Sequence, residues 1–279
     1  MKTSFSLYTI AVLLAILPVS MLFAQDRQTL NHHNMKLAIE FGTNEITGKL
    51  MKPEQMRENK SSGYFSNDKY YEYGYLEKSN TFTTMYFGVK PEFFIYKNRI
   101  GIASGIRLTS ASSELTSQES KFLWKVREEG LNTDYIKIDD IRQKSYLLSI
   151  PFEFRYFMNK RELPFQTYFK IGASMNYPIK TENWVNFTDK NMEKYRNIVK
   201  NQLSGNENSI SAFFFGAFGF KIGKYKEERW IPWGNLELHF PYLLLTKKSF
   251  EFTGNGYLGI GFQCSFEIPI GQNVPIGSE

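Results

Sequence analysis

"KSYLLSIPFEFRYFMNKRELPFQTYFKIGASMNYPI", residues 144–179, decides how this chain is built. Tyr146, Leu148, Ile150, Phe152, Phe154 and Tyr156 fall on one side of a two-residue period, and Ser149, Glu153 and Arg155 on the other. That period belongs to a β-strand. The polar "NKREL" reads as a tight turn into a second strand over 165–179. A wall of aromatics backed by charges of both signs suits a sheet with a lipid-facing side and an enclosed polar side.

Working outward, the same alternation recurs in eight segments: 35–43, 81–96, 99–115, 144–158, 165–179, 209–223, 229–246 and 253–267. Short polar turns ("KNR", "NKREL", "KYKEE") follow the second, fourth and sixth, whereas long connections follow the first, third and fifth. Regular alternation of short and long connections is the plan of an outer-membrane barrel, with tight periplasmic turns and long external loops. The expectation is therefore an all-β fold: an eight-stranded antiparallel up-and-down transmembrane β-barrel with three long extracellular loops. Several segments run to about 15 residues, ample for the roughly 9–11 tilted residues that cross a bilayer.

Parity assigns the faces. Leu37, Ile39 and Phe41, Met85, Phe87 and Val89, Ile102, Ile106 and Leu108, and their counterparts on later strands form the lipid side. The opposite stripe carries Glu40, Lys90, Glu92, Arg107, Glu153, Arg155, Lys170, Lys221, Glu237, His239 and Glu267, expected as a lumen charge network. A soluble barrel, such as a periplasmic ligand carrier, would use the same strands with the parity inverted. Aromatics near strand ends favour the membrane arrangement: Tyr96, Tyr156, Phe157, Phe165, Tyr177, Trp230, Trp233, Tyr242 and Tyr257 read as interfacial girdles.

The N-terminal "MKTSFSLYTIAVLLAILPVSMLFAQDRQ" has the basic start, apolar stretch and Leu22-Phe23-Ala24 cleavage site of a secretory signal peptide. The resulting organisation is a signal peptide over 1–24, an N-terminal periplasmic segment over 25–34, the barrel over 35–267 and a periplasmic tail over 268–279. The location that follows is the outer membrane, with its lipid as a partner. A single cysteine, Cys264, excludes an intramolecular disulfide framework. The net charge of +6 is spread along the chain, and no nucleic-acid site follows from it.

Catalysis at a lipid would need a His beside a Ser or an acid. His32 and His33 lie in a polar segment before the first strand, while His239 shares a face with Glu237. The interior pattern suits a satisfied lumen imidazole, and no nucleophile motif, phosphate loop or metal-ligand spacing is present. The expectation is a non-enzyme with no cofactor, metal or catalytic residue; a lipid A acyltransferase or deacylase using His239 is the alternative. In the first loop Tyr64, Phe65, Tyr70, Tyr71, Tyr73 and Tyr75 form a candidate partner-binding surface. In the third, Met192, Tyr195, Ile198, Val199 and Leu203 predict a short helix over the barrel mouth.

"SYLLSIPFEFRYFM", a short polar turn and "FQTYFKIGASMNYPI" resemble the core of the Bacteroidota outer-membrane β-barrel proteins, PorT-like members of the porin-family β-barrels included. "SAFFFGAFGFKIG" and "GYLGIGFQCSF" fit the family's later strands, so the resemblance spans roughly 35–267. It implies a cell-envelope barrel and, through the PorT-like members, envelope or protein-secretion partners. The ending departs from the usual terminal aromatic, since Phe266 is followed by "EIPIGQNVPIGSE".

Overall fold

A computed structural model describes residues 35–47, 55–57, 79–95, 99–116, 122–129, 132–158, 165–187, 189–203, 210–226, 229–246, 250 and 258–269. The signal peptide, the segment over 25–34 with His32 and His33, and the loop aromatics Tyr64 to Tyr75 lie outside these residues.

The strands are β1 (Met35–Thr47), β2 (Met56–Arg57), β3 (Ser79–Ile95), β4 (Ile100–Ser104), β5 (Ile106–Thr116), β6 (Phe122–Glu129), β7 (Asn132–Phe157), β8 (Phe165–Phe187), β9 (Ser211–Lys226), β10 (Arg229–Leu244) and β11 (Gly259–Pro269). Every pairing is antiparallel, running from β1 through β3, β4/β5, β7, β8, β9, β10 and β11 and back to β1. Eight strands thus close on themselves, leaving the ring no open edge and satisfying the backbone internally, as a bilayer demands. No helix among the described residues is long and apolar enough to cross a membrane.

β4 and β5 are one ring strand interrupted at Gly105. Continuing the register places Ser104 beside Pro91 and Gly105 beside Pro151, two residues without an N–H to donate. The backbones approach closely there, and a Cβ on residue 105 would stand 2.3 Å from the Val89 carbonyl oxygen.

Three expectations about the strands need correction. β7 begins at Asn132 and β8 ends at Phe187, because "DYIKIDDIRQK" and "TENWVNF" go on pairing past the expected strand ends. β6 pairs with the added part of β7, and β2 with β6, so the second long connection is itself a hairpin. The described part of β11 starts at Gly259, which makes the connection after β10 a fourth long one at that end where three were expected, and β11 runs two residues past 267.

The outer surface carries the apolar stripes. Met85, Ile106, Phe169, Ile171, Phe240 and Phe266 are all more than half exposed, far more apolar surface than a water-soluble monomer presents. The inverted parity of a soluble carrier is not found. Tyr156 and Phe165 at the turn end and Tyr177 at the loop end face outward as expected. Phe157 and Tyr242 do not: Phe157 has the inward parity of Arg155, and a bulge between His239 and Tyr242 turns the latter inside. Tyr96 and Tyr257 fall outside the described residues.

Candidate functional site

The same two-residue period that bares the outside buries Glu40, Lys90, Glu92, Arg107, Glu153, Arg155, Lys170, Lys221, Glu237, His239 and Glu267 inside the ring. The structure brings them into one network. Glu40 accepts from Arg107 Nη2 at 3.0 Å and also from its Nε, and lies 2.6 Å from Lys90 Nζ. Glu153 accepts from Lys90 and Arg107, with Lys170 Nζ 3.4 Å away. Arg155 donates to both oxygens of Glu92 at 2.9 and 3.1 Å and to Glu237 at 2.9 Å. Glu237 also accepts from Tyr168 Oη at 2.7 Å and from Lys170.

Nearest the turn end, Glu267 accepts from Lys36 at 3.2 Å, Lys221 at 2.7 Å and Asn235 at 2.7 Å. With Lys36 counted, six cations face five acids among the described residues, close to the neutrality that dry burial of charge requires. Below them Phe94, Phe157 and Tyr168 pack together, with Lys36 and Lys221 over the Phe94 ring at 4.8 and 4.9 Å.

His239 sits at the upper limit of the charges. Its Nδ1 lies 2.9 Å from Asn44 Oδ1 and its Nε2 3.2 Å from Glu237 Oε2, and the ring stacks on Phe215 at 5.0 Å between centroids. Above it the interior turns apolar: Ile46, Phe82, Ala111, Leu147, Phe213, Phe215, Tyr242 and Leu244 fill the barrel mouth, and Phe250, from the connection after β10, packs between Phe82 and Phe213. A small polar cavity lined by Asn44, Arg107, Ser149, Ser174, Asn176 and His239 lies at the junction of the two zones.

Beyond the mouth, β6 and the extensions of β7 and β8 form a sheet whose axis-side face carries Trp124, Ile136, Ile138, Ile141 and Val185. A 3-10 turn over Lys190–Tyr195, opened by the Asp189 side chain accepting from the Asn191 N–H at 2.9 Å, leads into α1 (Arg196–Leu203). The helix lays Val199 and Leu203 on that face, with Met192 and Tyr195 beside them. Trp124 Nε1 donates to Gln202 Oε1 at 2.7 Å, and Gln202 Nε2 to the Lys125 carbonyl at 3.1 Å. Ile198, expected on the packed face, is exposed, since a helical step of about 100° carries it off the stripe of 195, 199 and 203.

Several interior residues escaped the sequence reading. Lys36 shares the parity of Glu40, so extending the stripe by two pairs would have found it. Tyr86, Tyr168 and Phe215 fit because each faces a cross-strand glycine, Gly42, Gly219 and Gly172 respectively. A Cβ on any of the three would collide with the ring at 2.2 to 2.6 Å.

No family model matches the chain, and no curated protein matches it in sequence. Among solved structures it is similar to the outer membrane protein OprG from Pseudomonas aeruginosa, at 11% identity and a TM-score of 0.37, over 86% of this chain and 98% of that one. So loose a superposition transfers nothing to this chain. The barrel assignment rests on the closed ring and its bare apolar exterior.

Proposed function

We propose that this outer-membrane barrel is a non-enzymatic structural and interaction component of the cell envelope, whose ring anchors the sheet-and-helix platform at its loop end. The observation that carries this reading is the lumen, filled by ion pairs through its lower part and by packed aromatic rings at its mouth. An eight-stranded ring is just wide enough to be filled by side chains. A filled ring has no path for solute, and His239, with both ring nitrogens engaged and 1% exposure, has no path to substrate. The platform has its own buried core and is free to meet partners outside the membrane. The PorT-like character of the strands makes a protein-secretion assembly the first class of partner to test.

In planar bilayers the purified protein should give no stable, reproducible single-channel steps. A photo-crosslinking residue at the exposed Ile198 position should capture a cell-envelope protein in intact cells. Regular conductance steps, or the absence of any specific adduct from that face, would overturn the reading.

A further inference from the structure

Among the described residues, the lipid-facing surface has a place where its relief and its charge coincide. Across five strand pairings a single outward row runs Phe262, Thr43, Met85, Ser110, Tyr146, Lys180, from β11 through β1, β3, β5 and β7 to β8. From Phe262 to Tyr146 large and small side chains alternate along it. The small ones, with Cys264 in the next row, floor an apolar groove of about 600 Å³ walled by Phe41, Phe87, Leu108, Tyr146 and Ile179. That volume lies in the range of small-molecule pockets, roughly 300–1,000 Å³.

The groove ends toward the loops at a basic rim. Lys144 Nζ stands 5.1 Å from the centre of the Tyr146 ring, and Lys180, the cross-strand partner of Tyr146, is well exposed. Arg142 lies one outward position further along β7, held by Glu114, and Glu182 pairs with Lys180. Apolar stripes give way to lysines here, at the level where acyl chains give way to headgroups.

We propose that this groove and rim form a binding site for a phosphate-bearing lipid of the outer leaflet, a glycolipid of the lipid A class, with acyl chains packed over Thr43 and Ser110 to either side of Met85 and a phosphate on Lys144 and Lys180. The groove continues a surface that lipid already covers, and the lysines complement an anionic headgroup. The assignment to the outer leaflet rests on the loop end facing outside.

The test is native mass spectrometry of the detergent-purified full chain titrated with lipid A, with lipid A stripped of its phosphates, and with phosphatidylglycerol. Wild type should retain lipid A best, and K144Q/K180Q should lower that retention about tenfold. Ser110→Phe, which fills the groove and keeps both lysines, should lower retention of all three lipids. Equal retention by wild type and the lysine variant, or by phosphorylated and stripped lipid A, would overturn the headgroup assignment. Phosphatidylglycerol held as tightly as lipid A would overturn the choice of lipid, and an unaffected S110F would overturn the groove. Each variant is first checked for a barrel that migrates as folded without heating, so that loss of lipid is not loss of fold. Conductance or a missing crosslink would sink the anchoring role without touching these outcomes.

Discussion

Strand β7 carries two arginines that each span both oxygens of one glutamate, in opposite surroundings. Arg155 holds both oxygens of Glu92 at 2.9 and 3.1 Å, and Arg142 holds both oxygens of Glu114 at 3.0 and 2.8 Å. The first pair is wholly buried; the side chains of the second are 49% and 29% exposed. Arg155 spans its glutamate from Nη1 alone, whereas Arg142 uses Nε and Nη2, so the buried pair has the poorer geometry and any larger contribution it makes comes from the medium. In water each ion has an alternative partner at every moment. Inside the ring, each carboxylate depends on the cations that the neighbouring strands deliver, and these are shared: Arg155 serves Glu237 as well. The lumen therefore acts as one unit, while the rim pair acts alone.

Removing a shared cation should have the largest effect. Arg155→Ala leaves Glu92 without its guanidinium and weakens the hold on Glu237, and breaking a buried pair from one side typically costs about 3–5 kcal/mol. Unfolding in urea from lipid vesicles should show that loss. The double variant Glu92→Gln with Arg155→Met should recover much of it, because no orphaned charge is left behind. If the single and double variants are equally destabilised, the interior is stabilised by packing rather than by pairing, and the contrast with the rim loses its basis.

A smaller effect should come from the glycines that make room for the network. Tyr168 donates to Glu237 across the ring only because Gly219 lets its phenol lie flat against the wall. Gly219→Ala places a methyl group where that ring now sits, so Tyr168 must move off its acceptor. Overpacking of this kind costs about 1–3 kcal/mol. Tyr168→Phe in the same background separates the two contributions: if Gly219→Ala costs as much with Phe at 168 as with Tyr, the hydrogen bond contributes little and the clash is the whole effect.

These residues also show how far sequence alone reaches. Parity suffices to put Glu153 and Arg155 on one face and Phe154 on the other, because a strand's period is two whatever surrounds it. It does not identify a pair, since Glu92 and Arg155 belong to β3 and β7, which are separated by the ring strand β4/β5. Tyr242 was misplaced because the bulge before it inverts the parity on which the reading relied. The platform is legible only in part: the stripe of Tyr195, Val199 and Leu203 predicts its helix, but Ile136, Ile138, Ile141 and Val185 fall in long connections until β7 and β8 are seen to run on. The groove likewise needs five registers to be known before Thr43 and Ser110 fall into one row.

The smallest effect belongs to the rim. Arg142→Gln removes the charge and the paired hydrogen bonds to Glu114, yet both groups stay within reach of water, and Glu114 can be hydrated as soon as its partner is gone. Exposed pairs contribute about 0–1 kcal/mol, less as salt screens them. Arg142→Gln should therefore shift the urea midpoint by less than the Gly219→Ala change does, and the residual shift should shrink as ionic strength rises. Arg155→Ala, screened by protein rather than by ions, should keep nearly its full effect at the same salt. A salt-insensitive loss at Arg142 comparable to that at Arg155 would mean that the loop end is as dry as the lumen. The division of strand β7 into a wet and a buried part would then have to be redrawn.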